Sequence, residues 1–149
     1  MRTIHRDIVG AFIFSNDGQV LLGKNGKGGV YEDLWVIPGG GIEAGETKMQ
    51  ALIREVAEET GLDIRGAKIT EIDLPLTGKS QKTLKETGET VMVEMIFYNF
   101  KIDFDLPASA LVVRLEEDLS EAVWTPFAAL ADKPLSISVR QTLEYLGLL

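Results

Sequence analysis

The segment 89–102, ETVMVEMIFYNFKI, constrains the fold of this chain more than any other. Its β-branched and aromatic residues predict one long strand, and apolar side chains occupy both of its alternating faces. A strand with two apolar faces is typical of the interior of a sheet, where both faces are covered. We therefore expect this strand to be central rather than at an edge.

Shorter patterns on either side predict the remaining elements. Two apolar runs joined by the turn Ser15-Asn16-Asp17-Gly18 indicate a hairpin. In chain order, the predicted elements besides 89–102 are strands 8–14, 19–23 and 34–37, helix 47–60, strands 67–76 and 122–125, a short helix 127–131 and a final helix 136–146. Segment 25–29 is predicted as a loop, and the lysine-bearing segment 78–88 as a mobile surface loop or an irregular hairpin connection.

Composition limits the classes of function. A length of 149 residues predicts a single domain, 1–149, and 45% apolar residues suffice for a core. A net charge of -8 disfavours a nucleic acid polymer as partner, since such binders present a positive field. The chain has no cysteine and one histidine, no signal-peptide pattern and no apolar run long enough for a membrane span. We therefore expect a cytoplasmic protein without membrane contact.

Three glutamates border the buried face of helix 47–60. On a helical wheel of about 100° per residue, Glu59 falls about 20°, Glu55 about 60° and Glu58 about 120° outside the apolar arc. The apolar arc consists of Met49, Leu52, Ile53 and Val56. Like charges three and four residues apart repel, and a bound cation relieves that repulsion. A cluster of carboxylate oxygens in a chain without cysteine favours Mg²⁺, with Mn²⁺ as a substitute. Phosphate groups of a substrate commonly supply further ligands to Mg²⁺.

A glycine run lies just before this helix. Gly39, Gly40 and Gly41 lack side chains, so their backbone can approach an ion or phosphate closely, although Gly39 and Gly41 are equally compatible with a simple turn. Glu46 precedes the helix, where its carboxylate could cap amides, interact with the helix dipole or face a metal.

Residues 40–62 resemble the Nudix hydrolase signature G-x5-E-x7-R-E-U-x-E-E-x-G-U at every specified position. The resemblance implies an α/β (α+β) fold, with a mixed β-sheet sandwiched between helices. It also implies a catalytic set in which Glu55 and Glu59 are the principal metal ligands. Glu58 and the Gly40 carbonyl are further ligand candidates, and Arg54 orients a glutamate.

The resemblance leaves the general base and the substrate contacts open. The base comes from the signature itself or from a later loop, for which the candidates are Glu116, Glu117 and Glu121, and of these we select Glu117. Candidate substrate-binding residues outside the helix are Arg6, Lys24, Tyr31, Gly39 and Gly40. Trp35 and Trp124 are expected in the core, and at most one of Phe97 and Tyr98 can reach a ligand because they point to opposite faces.

The activity implied is Mg²⁺-dependent cleavage of a nucleoside triphosphate to the monophosphate and pyrophosphate. Segments 29–47 and 140–149 are similar to the small nucleoside triphosphatases of the family that act on pyrimidine deoxynucleoside triphosphates. Two alternatives remain: hydrolysis of nucleotide sugars or ADP-ribose-type dinucleotides, and a nucleotide-binding regulatory module on the same fold. The expected partner is a small nucleotide, and a homodimer is compatible with the family.

Overall fold

The computed structural model describes residues 1–25, 33–115 and 119–149. Within these residues seven strands form one sheet, and two α-helices and three short 3-10 helices accompany it. The strands are β1 (Thr3–Phe14), β2 (Gln19–Asn25), β3 (Gly39–Gly41), β4 (Lys68–Glu71), β5 (Leu76–Thr83), β6 (Thr90–Asp103) and β7 (Leu119–Pro126). The helices are α1 (Lys48–Thr60) and α2 (Ile137–Tyr145), with 3-10 helices at Ile64–Gly66, Ala108–Ala110 and Phe127–Asp132.

Strand β6 lies in the interior of the sheet, as its two apolar faces predict. It pairs in parallel with β1 from Thr3↔Met92 to Phe14↔Asp103. Its other edge pairs antiparallel with β5 along its first half and with β4 along its last residues. The order β4-β6-β1-β2-β7 combines parallel and antiparallel pairs, so the sheet is mixed.

The alternation of β1 divides the core into two layers. Val9, Ala11 and Ile13 are buried on the face that carries α1, and Phe12 and Phe14 are buried on the face that carries α2. Leu52 and Val56 of α1 cover the first face, and Val139 and Leu143 of α2 cover the second. The resemblance implied helices on both sides of the sheet. The expected sheet between helices is confirmed.

The helix boundaries also follow the sequence. Thr47 caps α1: its hydroxyl accepts a hydrogen bond from the Gln50 N–H, and the Gln50 side chain accepts one from the Thr47 N–H. Gly61 ends the helix at φ 76°. Met49, expected on the buried arc, lies in the first turn and is 40% exposed.

Two glycine- and lysine-rich segments differ from their predictions. The glycine run forms β3, which pairs with β1 at Ile8–Gly10, and a Cβ on Gly39 would meet the Val9 carbonyl. Segment 78–88 is largely a regular hairpin arm, because β5 pairs with β6 residue by residue from Leu76↔Phe97 to Thr83↔Thr90. Backbone hydrogen bonds hold this strand, so it needs no apolar pattern.

Two predicted strands are shorter than expected. Segment 34–37 forms only the isolated bridges Gly23↔Val36 and Trp35↔Leu135, and Pro38 follows. Segment 67–76 contains β4, and the chain then leaves strand geometry until β5 begins.

Across the described residues, none of the helices has the length and apolar composition that crossing a membrane requires.

Candidate active site

The carboxylates of α1 differ in burial in the order that the helical wheel predicts. Glu59 is 5% exposed. The side chain of Glu55 is 14% exposed and that of Glu58 is 43% exposed. The two more enclosed carboxylates therefore face the sheet, and Glu58 lies at the border with solvent.

Arg54 occupies the centre of this acidic cluster. Its Nε donates to Glu46 Oε2 at 2.7 Å and its Nη2 to Glu46 Oε1 at 2.9 Å, a bidentate pair. Its Nη1 donates to Glu55 Oε1 at 2.8 Å and to Glu58 Oε2 at 3.3 Å. Nη2 also donates to the Gly41 carbonyl at 3.0 Å. Arg54 thus holds the α1 carboxylates and the glycine strand in one network.

Glu46 serves this network rather than the helix cap. It accepts hydrogen bonds from Arg54 and from the Glu43 N–H at 2.9 Å. The hydrogen bonds from Arg54, together with the one from the backbone of Glu43, lower the pKa of Glu46 to about 2. The same pair raises the pKa of Arg54 above its ordinary value, so both groups stay charged across the neutral range.

Strand β3 lies directly against these side chains. The Gly39 N–H donates to Glu59 Oε1 at 3.1 Å. A Cβ on Gly40 would fall on the Glu55 carboxylate, and a Cβ on Gly41 would fall on the Arg6 guanidinium. Each glycine therefore leaves space that a charged side chain fills, which a turn alone would not require.

The donor set suits a hard divalent cation. Glu55, Glu58 and Glu59 offer carboxylate oxygens, and the backbone of Gly40 lies against Glu55 with no side chain between them. Among the described residues, however, no three acidic or histidine side chains are already arranged around a common point that could hold a metal. Arg54 lies between two of these carboxylates, since its Nη1 donates to Glu55 and to Glu58. The hydrogen bond from Arg54 uses only the Oε1 atom of Glu55, so Arg54 can orient this carboxylate while its Oε2 atom faces a metal.

A cleft of about 220 Å³ opens beside the cluster. Glu59, Gly39 and Gly40 line it together with apolar side chains from both sheet and helix. The apolar lining includes Ile8, Phe12, Ile37, Phe97 and Val139. Tyr98 lies on the opposite face against the α1 core, so Phe97 is the member of that pair that reaches the cleft.

Sequence reasoning missed three polar residues of this cleft, Asn99, Ser136 and Ser138. Asn99 is 7% exposed and Ser136 is 2% exposed. A polar side chain in the middle of the apolar run IFYNFKI was the available signal for Asn99. No comparable signal marks Ser136, which stands where an N-cap residue is expected.

The other predicted site residues lie in different surroundings. Arg6 lies against Gly41, next to the carboxylate cluster. Lys24 Nζ stands 4.7 Å from the centre of the Trp35 ring, and Lys133 Nζ stands 4.4 Å from it. Tyr31, Glu116 and Glu117 lie outside the described residues.

The tryptophans are structural, as expected. Trp35 is buried in the α2 layer, and Trp124 packs against the α1 layer while its Nε1 donates to the Leu111 carbonyl at 3.2 Å.

Glu121, the third loop candidate for the general base, is instead part of β7 and pairs in register with Lys24.

Known proteins share this sequence and architecture. The NUDIX domain model matches residues 4–146. Nucleoside triphosphatase NudI of Escherichia fergusonii is 31% identical over 138 residues, which cover 92% of this chain and 94% of that protein. NudI of Escherichia coli K12 has the same identity and coverage.

Solved structures agree at the level of the fold. The E. coli dihydroneopterin triphosphate pyrophosphohydrolase superposes with a TM-score of 0.72 at 21% identity, covering 93% of this chain and 92% of that one. The NUDIX domain of Shewanella oneidensis NrtR, solved with ADP ribose, gives a TM-score of 0.64 at 20% identity, with coverage of 95% and 85%. The complete signature, the sheet between helices and the match over nearly the whole chain lead to one conclusion: this protein is a member of the Nudix hydrolase family.

Proposed function

We propose that this protein is a Mg²⁺-dependent pyrophosphohydrolase that cleaves nucleoside triphosphates to the monophosphate and pyrophosphate. The carrying observation is the contact between the α1 carboxylates and the side-chain-free strand β3, beside a cleft that both of them line. This arrangement offers oxygen ligands next to a space for an organic group. The curated relatives at 31% identity are named nucleoside triphosphatases, which supports the same activity here.

In this proposal the residues of α1 and β3 hold the cation. Glu55 and Glu59 are its principal ligands, and Glu58 and the Gly40 carbonyl supplement them. Bound there, Mg²⁺ would neutralise phosphate charge and lower the pKa of water for attack on phosphorus. Arg54 keeps Glu55 oriented through its 2.8 Å hydrogen bond and is itself fixed by Glu46.

The remaining roles belong to residues around the cluster. We assign to Arg6, whose guanidinium lies beside Gly41, a contact with a phosphate of the substrate. We assign the same role to Lys24, which would have to leave the Trp35 ring to perform it. The general base is Glu117 or a glutamate of α1. Tyr31 is proposed to stack on the nucleobase of the substrate.

Triphosphates of pyrimidine deoxynucleosides are the proposed substrates. Both NudI and the E. coli structural neighbour carry a triphosphate in their names, which favours a triphosphate over a nucleotide sugar. A dinucleotide of the ADP-ribose type is the second candidate, because a structural neighbour was solved with ADP ribose. A purely regulatory module is less consistent with a signature in which every glutamate is present.

Product analysis separates these functions. Purified protein with Mg²⁺ is incubated with each deoxynucleoside triphosphate, with ADP-ribose and with a nucleotide sugar, and products are resolved by ion-exchange chromatography. The proposal predicts equal amounts of pyrophosphate and monophosphate from a triphosphate. Two monophosphate-bearing products from ADP-ribose alone would replace it with the second candidate. Binding without turnover on any substrate would favour the regulatory module.

Two expectations about the protein in the cell remain predictions. A homodimer predicts a mass near twice 16.4 kDa in light scattering, and a monomer would contradict it. A cytoplasmic location predicts recovery of the activity in the cytosolic fraction of the source cells.

A further inference from the structure

Two lysine side chains converge on the ring of Trp35. Lys24 Nζ lies 4.7 Å from the centre of the ring, and Lys133 Nζ lies 4.4 Å from it. Both lysines are half-buried, and Trp35 itself is buried. An indole ring attracts an ammonium group through its electron-rich face, but it carries no net charge to neutralise two of them. The two positive charges therefore repel each other at this place.

Neither ammonium group is paired with an acid. Among the described residues, neither makes an ion pair or a side-chain hydrogen bond. Glu121 is the register partner of Lys24 across β2 and β7, and opposite charges in such a pair normally attract. The Lys24 ammonium nevertheless lies over Trp35. In a chain with 23 acidic residues and a net charge of -8, two lysines that converge in this way indicate an anionic ligand.

Backbone hydrogen bonds fix both lysines around Trp35. On one side Gly23, which precedes Lys24, exchanges two backbone hydrogen bonds of 2.8 Å with the residue after Trp35. On the other side the Trp35 N–H donates to the Pro134 carbonyl at 2.8 Å, and Lys133 directly precedes Pro134. Segments from distant parts of the chain are thus tied to the two edges of the strand-like segment that carries the ring. The fold itself brings the two lysines together.

The two lysines lie next to the cleft beside α1. Residues 36–40 line the cleft and follow Trp35 directly, and Ser136 lines it three residues after Lys133. Gly39, whose N–H contacts a carboxylate of α1, is four residues after Trp35, so the Cα atoms of these two residues are at most about 14 Å apart. An elongated ligand can therefore extend from the α1 carboxylates to the lysines.

We propose that Lys24, Lys133 and Trp35 form a second anion site, the lysine site, which binds a pyrophosphate group. Two ammonium groups match an anion with charge at both ends, and lysine binds phosphate as a point charge. The group is the phosphate tail of a bound triphosphate or the pyrophosphate that hydrolysis releases, and this identification rests on the proposed function. An anion at the site draws the ammonium groups off the ring, so the Trp35 indole reports its binding.

Pyrophosphate titrated into ¹⁵N-labelled protein without divalent metal tests the lysine site. The chain has two tryptophans, and Trp124→Phe assigns their indole N–H signals in the NMR spectrum. The Trp35 signal should shift and saturate. The Trp124 signal should stay in place, because its Nε1 donates to the Leu111 carbonyl in the other layer of the core. Sodium chloride at equal ionic strength should move neither signal and controls for general screening.

Lysine variants show which charges bind the anion. Lys133→Met should weaken pyrophosphate binding by about 10- to 100-fold, because a charged hydrogen bond is lost. Lys133→Arg keeps the charge and should retain most of the affinity, and Lys24→Met provides a second loss if Lys133→Met does not fold. Lys85→Met removes an exposed lysine from the turn between β5 and β6, so it is the control of equal charge. Equal affinity in Lys133→Met and Lys85→Met would overturn the proposal, as would a Trp35 signal that pyrophosphate does not move.

Kinetics identify the source of the pyrophosphate group. If the site holds the tail of the substrate, Lys133→Met should raise KM for the triphosphate more than it lowers kcat. If it holds only released pyrophosphate, Lys133→Met should relieve inhibition by added pyrophosphate without raising KM. Either result supports the lysine site. Failure to hydrolyse any triphosphate would refute the proposed function and leave the titration with pyrophosphate unchanged.

Discussion

Replacement of Arg54 by Met should destabilise the fold much more than an ordinary surface ion pair does. Arg54 makes a bidentate pair with Glu46 and further hydrogen bonds to Glu55, Glu58 and the Gly41 carbonyl. Its side chain is 22% exposed and that of Glu46 is 18% exposed, so solvent screens the pair only partly. Hydrogen bonds to charged groups contribute about 1.5–3 kcal/mol each, without being additive.

We expect Arg54→Met to lower the free energy of unfolding by about 2–4 kcal/mol, since the freed carboxylates regain water but repel one another. This corresponds to a fall in Tm of about 4–16 °C for a chain of this length. Arg54→Lys keeps the positive charge but loses the bidentate hydrogen bonds to Glu46. It should therefore lower the free energy of unfolding by about half as much as Arg54→Met.

Urea unfolding followed by tryptophan fluorescence measures this loss. The matched control is Arg65→Met, because Arg65 pairs with Asp63 at 2.8 Å but both side chains are more than half exposed. An exposed pair contributes about 0–1 kcal/mol. Equal losses in Arg54→Met and Arg65→Met would refute the assigned role of the network.

Other perturbations address single contacts. Gly40→Ala should reduce kcat/KM for triphosphate hydrolysis by about 100-fold or more, because its Cβ would displace the Glu55 carboxylate; a normal rate would exclude the close approach as a requirement. Thr47→Ala should lower the free energy of unfolding by about 1 kcal/mol through loss of the capping box, and activity should persist in the same preparation. Glu46→Gln should be less stable than the wild type above about pH 4.5. The difference should shrink as the pH falls through about 2, because the folded pKa of Glu46 is about 2 against an ordinary 4.5; a gap constant from pH 7 to 2 would contradict this.

Several features of the fold could be read from single residues. The apolar faces of the segment that became β6 required an interior position, and the structure confirms it. Thr47 and Gly61 marked the ends of α1 because capping is local chemistry. The ranking of Glu59, Glu55 and Glu58 by burial followed from helix geometry alone.

Other features depend on distant partners and leave no local pattern. The polar strand β5 is held by backbone pairing with β6, so its lysines resemble those of a loop. Gly39–Gly41 resembles a turn until β1 is placed beside it. The sequence indicates that Arg54 pairs with a glutamate. Its bidentate pair with Glu46 depends on the conformation of the loop before α1. Asn99 interrupts an apolar run in the sequence, but its position in the cleft depends on segments that are distant along the chain.

The most direct test of the central claim combines cation binding with hydrolysis in one pair of variants. Glu59→Gln keeps the size of a side chain that contacts Gly39 but removes its charge, and Glu144→Gln removes an exposed charge on α2. Mg²⁺ binding is measured by calorimetry, and pyrophosphate release from a deoxynucleoside triphosphate is measured on the same samples. We predict that Glu59→Gln loses Mg²⁺ affinity and at least about 100-fold in rate, whereas Glu144→Gln keeps both. Unchanged Mg²⁺ binding and pyrophosphate release in Glu59→Gln would contradict the assignment of the α1 carboxylates as the metal site.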